Sequence, residues 1–289
     1  MMSRILYYLV LKPLSFLPLW ILYRLSDLLY FFFRFIFTYR KEVVFGNIQR
    51  SFPKHTEKEH RAIMYGFYRH LCDLIVEGIR LFSIPKKEVL KRFKVINPSV
   101  MDKYFEQGKD VVLVGGHYNN WEMLSAGIDL QIKHKSTGIY APLKNAFFNK
   151  AFLDSRGKYG TQLISKKETS DFFKADRDVP ACIIFGADQS PTYSKHVIWT
   201  TFLNQDTAVA VGTEMLSKRH RCPVIYGAIE KVSRGHYTLT FTEICEDASK
   251  TKPEEITKAH TRMLENQIIQ KPAYWLWSHK RWKRKRETV

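Results

Sequence analysis

The sequence holds no C-x-x-C pair. Its four cysteines, Cys72, Cys182, Cys222 and Cys245, stand far apart, which excludes a zinc ribbon and a thioredoxin-like redox site. Cys182 and Cys222 lie in apolar runs and read as small core residues, so a reduced, cytoplasm-facing protein is expected. No H-E-x-x-H occurs among the ten histidines, and no Walker lysine follows a glycine-rich loop. No motif therefore calls for a metal or a nucleotide. Acidic residues are scarce: 28 Asp and Glu stand against 46 Lys and Arg, a formal charge of +18. Apolar runs long enough to span a bilayer are missing beyond residue 40, and the mean hydropathy of −0.28 excludes a polytopic membrane protein.

What is present suffices for a core. Of 289 residues, 45% are hydrophobic and 14% aromatic, which excludes a disordered or collagen-like chain and a small disulfide-stapled scaffold. The basic excess calls for an anionic partner: nucleic acid, anionic lipid or an acidic carrier protein. Basic residues cluster in Lys280-Arg281-Trp282-Lys283-Arg284-Lys285-Arg286, just after Tyr274, Trp275 and Trp277. That interleaving predicts an interfacial segment with indoles at headgroup depth, a solvated tail being the alternative.

From Ile5 to Phe37 the chain is almost wholly apolar, interrupted by Lys12, Pro13, Pro18, Arg24, Asp27 and Arg34. It is too long for a secretory signal and lacks a small-residue cleavage site. Two arrangements fit. One is a tilted spanning helix over about Leu14 to Phe37, with Arg24 and Asp27 paired at i, i+3. The other is a pair of amphipathic helices lying in the membrane interface, bent at Pro13 or Pro18. A buried core helix is the bland alternative. Arg40 and Lys41 follow, as suits a cytoplasmic flank.

Thr56-Glu57-Lys58-Glu59 has capping-box form, and Ile63, Phe67, Leu71, Leu74, Ile75 and Ile79 recur at helical spacing, which predicts one helix over about 57–82. Strands are then expected at Val111–Val114, Ser136–Tyr140, Gln162–Ile164, Pro180–Phe185, Val224–Ile229 and Tyr237–Phe241. Helices are expected at Asn120–Leu130, Ala146–Tyr159, Glu168–Lys174 and Ala208–Arg219, and from Pro253 to about Gln270. Such alternation predicts an α/β fold: a mostly parallel or mixed central sheet flanked by helices.

The stretch Val111-Val112-Leu113-Val114-Gly115-Gly116-His117-Tyr118-Asn119-Asn120-Trp121-Glu122 carries chemistry. A buried strand ends in two glycines and presents a histidine, with a carboxylate five residues on at a helix start. Ligand sites in open α/β sheets lie at the carboxyl ends of strands. The glycines permit a sharp turn and close approach of a substrate. Neutral His117 can take a proton from a hydroxyl near pH 7, and Glu122 is spaced to fold back and fix its tautomer. A histidine satisfying a turn and a glutamate in a helix's first turn explain the spacing equally well.

Within GGHYNNWE, His117-x4-Glu122 resembles the H-x4-[D/E] signature of glycerolipid-type acyltransferases, and is most similar to the H-[FY]-G-N-W-E form of the bacterial lipid A biosynthesis (late) acyltransferases. Other landmarks agree in order. Asn47 to Pro53 resembles the family's N-x4-F-P element, and Tyr140-Ala141-Pro142-Leu143-Lys144-Asn145 its Y-R-P-x-x-N. Arg156 and Gly160 fit R-x3-G, and Asp188-Gln189 a D-Q pair. Pro272 to Lys283 resembles the closing P-x-x-Y-x-W-x-H-x-R-[WF]-K. The chain departs from the pattern at Asn119, in place of Gly, and at Ala141, in place of Arg. It departs again over Ser190 to Thr207, which lacks a glycine-rich stretch and F-F-G.

The resemblance implies a membrane-anchoring segment over residues 1–40 and an acyltransferase domain over 41–289. It implies transfer of a fatty acyl group from a thioester, on acyl carrier protein or CoA, to a hydroxyl of a lipid A precursor, without an acyl-enzyme. A lysophospholipid or a hydroxy-acyl aminolipid is the alternative acceptor. His117 is expected as general base and Glu122 as its partner. Gly116, Asn120, Lys144, Arg156, Asp188 and Gln189 are expected to bind substrate, with oxyanion donors from the Gly115-Gly116 turn. No cofactor, metal or nucleic acid is implied. The expected place is the cytoplasmic side of the bacterial inner membrane, in contact with its lipid.

Overall fold

The computed structural model of the chain describes residues 2–36, 39–191 and 196–286. Phe37, the end of the apolar run, and part of the stretch from Ser190 to Thr207 lie outside them.

Nine strands are described: β1 (Phe93–Val95), β2 (Val111–Gly115), β3 (Lys135–Tyr140), β4 (Gln162–Ser165), β5 (Ala181–Gly186), β6 (Val197–Phe202), β7 (Gln205–Ala210), β8 (Val224–Ser233) and β9 (His236–Cys245). Seven form one sheet in the order β1-β9-β8-β2-β5-β3-β4. Every neighbouring pair runs parallel except the β8–β9 hairpin. This is the mixed, mostly parallel α/β sheet expected from the alternation. β2 is central, and its four valine and leucine side chains, Val111 to Val114, are fully or almost fully buried. Strand alternation sends Val112 and Val114 into one core and Val111 and Leu113 into the other. Helices cover both faces, which is why the strand reads as an unbroken apolar run.

The long helix runs Glu57–Leu81, with the capping box at Thr56 and Glu59 in place. The last helix, Glu255–Gln270, also falls where the sequence puts it. Among the expected helices one fails. Ala208–Arg219 is not one helix: β6 and β7 form a separate antiparallel hairpin, and the helix covers only Gly212–Arg219. Ala208 and Val209 pair with Trp199 and Ile198, so tertiary pairing overrides the local helical pattern.

The N-terminal run folds as short helical pieces over Met2–Leu6, Tyr7–Leu11 and Lys12–Ser15, a bend before Pro18, and a helix Leu19–Phe35. Among the described residues no helix is long and apolar enough to cross a membrane. Asp27 does not select Arg24 as its partner. Its carboxylate accepts from Arg234 at 2.7 Å, and Asp73 accepts from the same guanidinium at 2.7 Å. Ser26 donates to Asp73 at 2.8 Å, and Arg80 donates to the Ser15 carbonyl at 2.6 Å. Leu22 and Phe33 reach the interior, whereas Trp20, Leu28, Phe31, Phe35 and Ile36 are exposed. The run is thus half docked on the long helix and half uncovered.

The C-terminal indoles are not interfacial. Trp275, Trp277 and Trp282 are buried and meet edge to face, with Trp275 and Trp277 4.8 Å apart between centroids. Each indole N–H has an acceptor: Asp188, the Pro272 carbonyl and Thr207. Buried indoles are stable when that donor is satisfied. The segment is stitched to the glycine turn by a Tyr118–Trp275 bridge and by Asn119 N–H donating to the Tyr274 carbonyl at 3.0 Å.

Candidate active site

β2 and β5 pair in register, with Gly115 opposite Gly186. Ala187 N–H donates to the Gly115 carbonyl at 2.9 Å, carrying the ladder past the strand ends. His117 and Asp188 therefore emerge side by side, each two residues beyond its paired glycine. His117 Nδ1 lies 2.6 Å from Asp188 Oδ1, and the His117 backbone N–H donates to Asp188 Oδ2 at 2.8 Å. Trp275 Nε1–H donates to the same Oδ2 at 2.8 Å. A carboxylate this buried is costly unless its lone pairs are filled. Here three donors bond to it, and they outweigh burial to hold Asp188 well below the usual carboxylate range, His117 contributing most.

With Asp188 on Nδ1, the Nδ1–H tautomer is fixed and Nε2 is left as the proton acceptor. Nε2 borders a cavity of about 440 Å³. Gln189 places its amide 3.3 Å from that nitrogen. Burial opposes a charge on the ring, yet the Asp188 carboxylate overrides it, with a smaller share from Glu122, and the pKa of His117 is raised. The ring is confined by the Trp121 edge at 5.2 Å and by the bare face of Gly186, where a Cβ would stand 3.0 Å from Cε1.

Glu122 takes a different place from the one its spacing suggests. Its carboxylate accepts twice from Arg156, Nε at 2.7 Å and Nη2 at 2.6 Å, and Trp121 Nε1–H donates to it at 3.2 Å. Arg156 sits at the end of the helix Ala146–Arg156 and offers a fork that matches a carboxylate. The tautomer-fixing position belongs to Asp188, and Glu122 acts on the ring only through space.

The other expected substrate residues divide. Arg156 and Gln189 line the cavity beside His117. Lys144 is exposed and is not among the lining residues. Asn120 is buried and structural: it caps the helix Trp121–Gly127 by accepting from Met123 N–H at 2.9 Å. Its amide donates to Glu77 at 2.6 Å, and Tyr23 and Tyr237 hold that same carboxylate. Gly116 makes room for protein as well as ligand, since a Cβ there would meet Leu264 Cδ2 at 2.6 Å. The His117 N–H is spent on Asp188 and is not a free oxyanion donor. Asn119 has φ of 55°, a left-handed conformation that Asn tolerates better than most residues, and its amide donates to the Ile229 carbonyl at 2.8 Å. Asn therefore serves where glycine is usual.

Away from His117 the cavity crosses one face of the sheet. Its walls are Leu113, Leu163, Ile184, Ile229 and Leu239, with Gly138 and Gly227 leaving open floor. An apolar trough that ends at an imidazole and an Arg–carboxylate pair suits a molecule with a hydrocarbon chain and a polar head.

The chain belongs to the bacterial lipid A biosynthesis acyltransferase family, whose model matches residues 1–284. It is similar to the lipid A biosynthesis palmitoleoyltransferase of Escherichia coli (strain K12), 21% identical over 245 residues, which cover 84% of this chain and 79% of the relative. The lipid A biosynthesis acyltransferase of Shigella flexneri matches to the same extent. The lauroyltransferase of Escherichia coli (strain K12) is 21% identical over 253 residues, 86% of this chain and 81% of that one.

Proposed function

We propose that this enzyme transfers a fatty acyl chain from a thioester, on acyl carrier protein or CoA, to a hydroxyl of a lipid A precursor. His117 Nε2 takes the hydroxyl proton as the oxygen attacks the thioester carbonyl. The tetrahedral intermediate collapses, the C–S bond breaks, and the leaving thiolate takes the proton back from His117. Asp188 holds the tautomer and balances the imidazolium. Glu122 adds negative charge nearby and orients Arg156, whose guanidinium is placed to meet a phosphate or the developing oxyanion. The acyl chain lies in the trough past Leu113 and Ile184.

The observation that carries this reading is the Nδ1–Asp188 bond of 2.6 Å, which leaves Nε2 facing an apolar cavity. Family membership supports the acceptor class.

Residues 1–40 serve as an in-plane membrane anchor and residues 41–289 as the catalytic domain. The uncovered face of the helix Leu19–Phe35 supports this, and the net charge of +18 favours an anionic leaflet and an acidic carrier. The enzyme acts on the cytoplasmic side of the inner membrane.

The test compares lipid extracts of a deletion strain with those of the strain complemented in trans, by mass. Lipid A lighter by one acyl chain, restored by the wild-type gene, is expected. Intact lipid A with a chain missing from another lipid would move the acceptor to that lipid.

A further inference from the structure

Against Asp188 lies a second, small cavity of about 10 Å³. That is room for about one water molecule. Gly115, Asp188, His260, Thr261, Leu264 and Arg281 are among its walls. Two of its nitrogens, Arg281 Nε and His260 Nε2, are buried with no partner among the described residues. Arg281 is 3% exposed, and a guanidinium so enclosed is costly unless a charge or a hydrogen bond compensates it. Burial lowers the pKa of Arg281 to about 10, opposed by the Asp188 charge. Burial lowers that of His260 to about 4, so His260 is neutral there.

We propose that Arg281 is a positioning residue for acyl transfer, acting on Asp188 through a single water held in this cavity with His260. The proposal rests on His117 being the base and Asp188 its partner. A water here has donors in Arg281 and acceptors in Asp188 and the Thr261 hydroxyl, and His260 Nε2 takes either role by tautomer. The site offers polar partners in Asp188, His260, Thr261 and Arg281 and is of the right size, the two conditions for an ordered internal water.

The function follows from charge. Asp188 has His117 on one side and Arg281 on the other. Arg281 stabilises the ionised carboxylate and disfavours a second positive charge on His117. It thereby offsets part of the upward pull of Asp188 on the imidazole and keeps His117 neutral, and so able to act as a base, closer to neutral pH. The other groups facing this pair are Glu122 and Arg156 across the substrate cavity, Tyr226 of β8, His260 of the last helix, and His279 of the C-terminal segment.

The test is the pH profile of kcat for the purified full-length enzyme with an acyl-thioester donor and a lipid hydroxyl acceptor. Wild type is compared with Arg281→Met, Arg281→Lys and Asp188→Asn, each checked by thermal melt. Arg281→Met is expected to move the acid limb to higher pH by on the order of one unit, a roughly tenfold loss below the limb. The KM for donor stays close to wild type, and Arg281→Lys, which keeps the charge, restores most of the limb's position. An acid limb unmoved in Arg281→Met would overturn the proposal, as would one that Lys leaves as displaced as Met does. If Arg281→Met fails to fold, Arg281→Gln removes the charge while keeping a donor for the water, and the same limb is read. Wild-type rate and limb in Asp188→Asn would sink the underlying His117–Asp188 assignment instead, so the two failures are distinguishable.

Discussion

His117 and Asp188 occupy equivalent positions on adjacent strand ends, and a 2.6 Å Nδ1–Oδ1 contact joins them. The pairing of Gly115 with Gly186 sets this geometry before any side chain is considered. The carboxylate partner of His117 is thus supplied by the neighbouring strand of the sheet, and not by the helix that follows the histidine.

Asp188→Asn removes the charge that raises the His117 pKa and the acceptor that fixes its tautomer. Transfer is expected to fall by on the order of 10²–10⁴. The sign of the pH effect is fixed by the same bond. As the proposed base His117 must be neutral, and its folded pKa is raised chiefly by Asp188 against the opposing effect of burial, so activity is expected to be lost as pH falls through that value. Without the aspartate the residual activity should have its acid limb at lower pH. A pH–rate profile of the variant checks this.

Glu122→Gln breaks the bidentate pair with Arg156 and leaves the His117–Asp188 bond intact. A loss of about ten- to a hundredfold is expected, with the acid limb moving to lower pH by less than in Asp188→Asn. Glu122 and Arg156 are about a quarter exposed, so part of the effect is screened and should weaken with added salt. Steady-state kinetics at two ionic strengths measures it.

The strand-end histidine was legible in the sequence because a buried strand, two glycines and a histidine are contiguous. Its partner was not, because Asp188 lies 71 residues away and reaches Nδ1 only through the β2–β5 register. Spacing alone favoured Glu122, and Arg156, 34 residues further on, claims that carboxylate. The sheet strands and the helix Glu57–Leu81 followed from periodicity and capping. The β6–β7 hairpin did not, since Ala208 and Val209 are held by cross-strand pairing. Likewise Trp275, Trp277 and Trp282 sit beside a basic run, yet acceptors inside the fold take their indole N–H groups.

Gly227 leaves floor space in the apolar trough, and an added Cβ would stand 3.1 Å from Leu113 Cδ1 and 3.3 Å from Leu239 Cδ1. Gly227→Ala should therefore favour shorter donors. Each methylene excluded from apolar contact costs about 0.8 kcal/mol, roughly fourfold in preference. Competition between donors of different chain length, read by mass of the acylated product, reports the shift. Unchanged preference would place the chain elsewhere.

Trp20 and Phe35 are 68% and 66% exposed on the N-terminal helix. Replacing both with Asp should leave the melting temperature near wild type and lower co-sedimentation with anionic vesicles several-fold. Equal vesicle binding by the variant would remove this face from the membrane contact.

The central claim is that His117 Nε2 is the base for direct acyl transfer to a lipid hydroxyl. The most direct measurement is single-turnover formation of acylated lipid A precursor by purified wild type and His117→Ala, followed by mass spectrometry. The account predicts that the Ala variant melts like wild type, forms no acyl-enzyme, and makes product slower by on the order of 10²–10⁴. Product formation at near wild-type rate by a folded His117→Ala protein would contradict it.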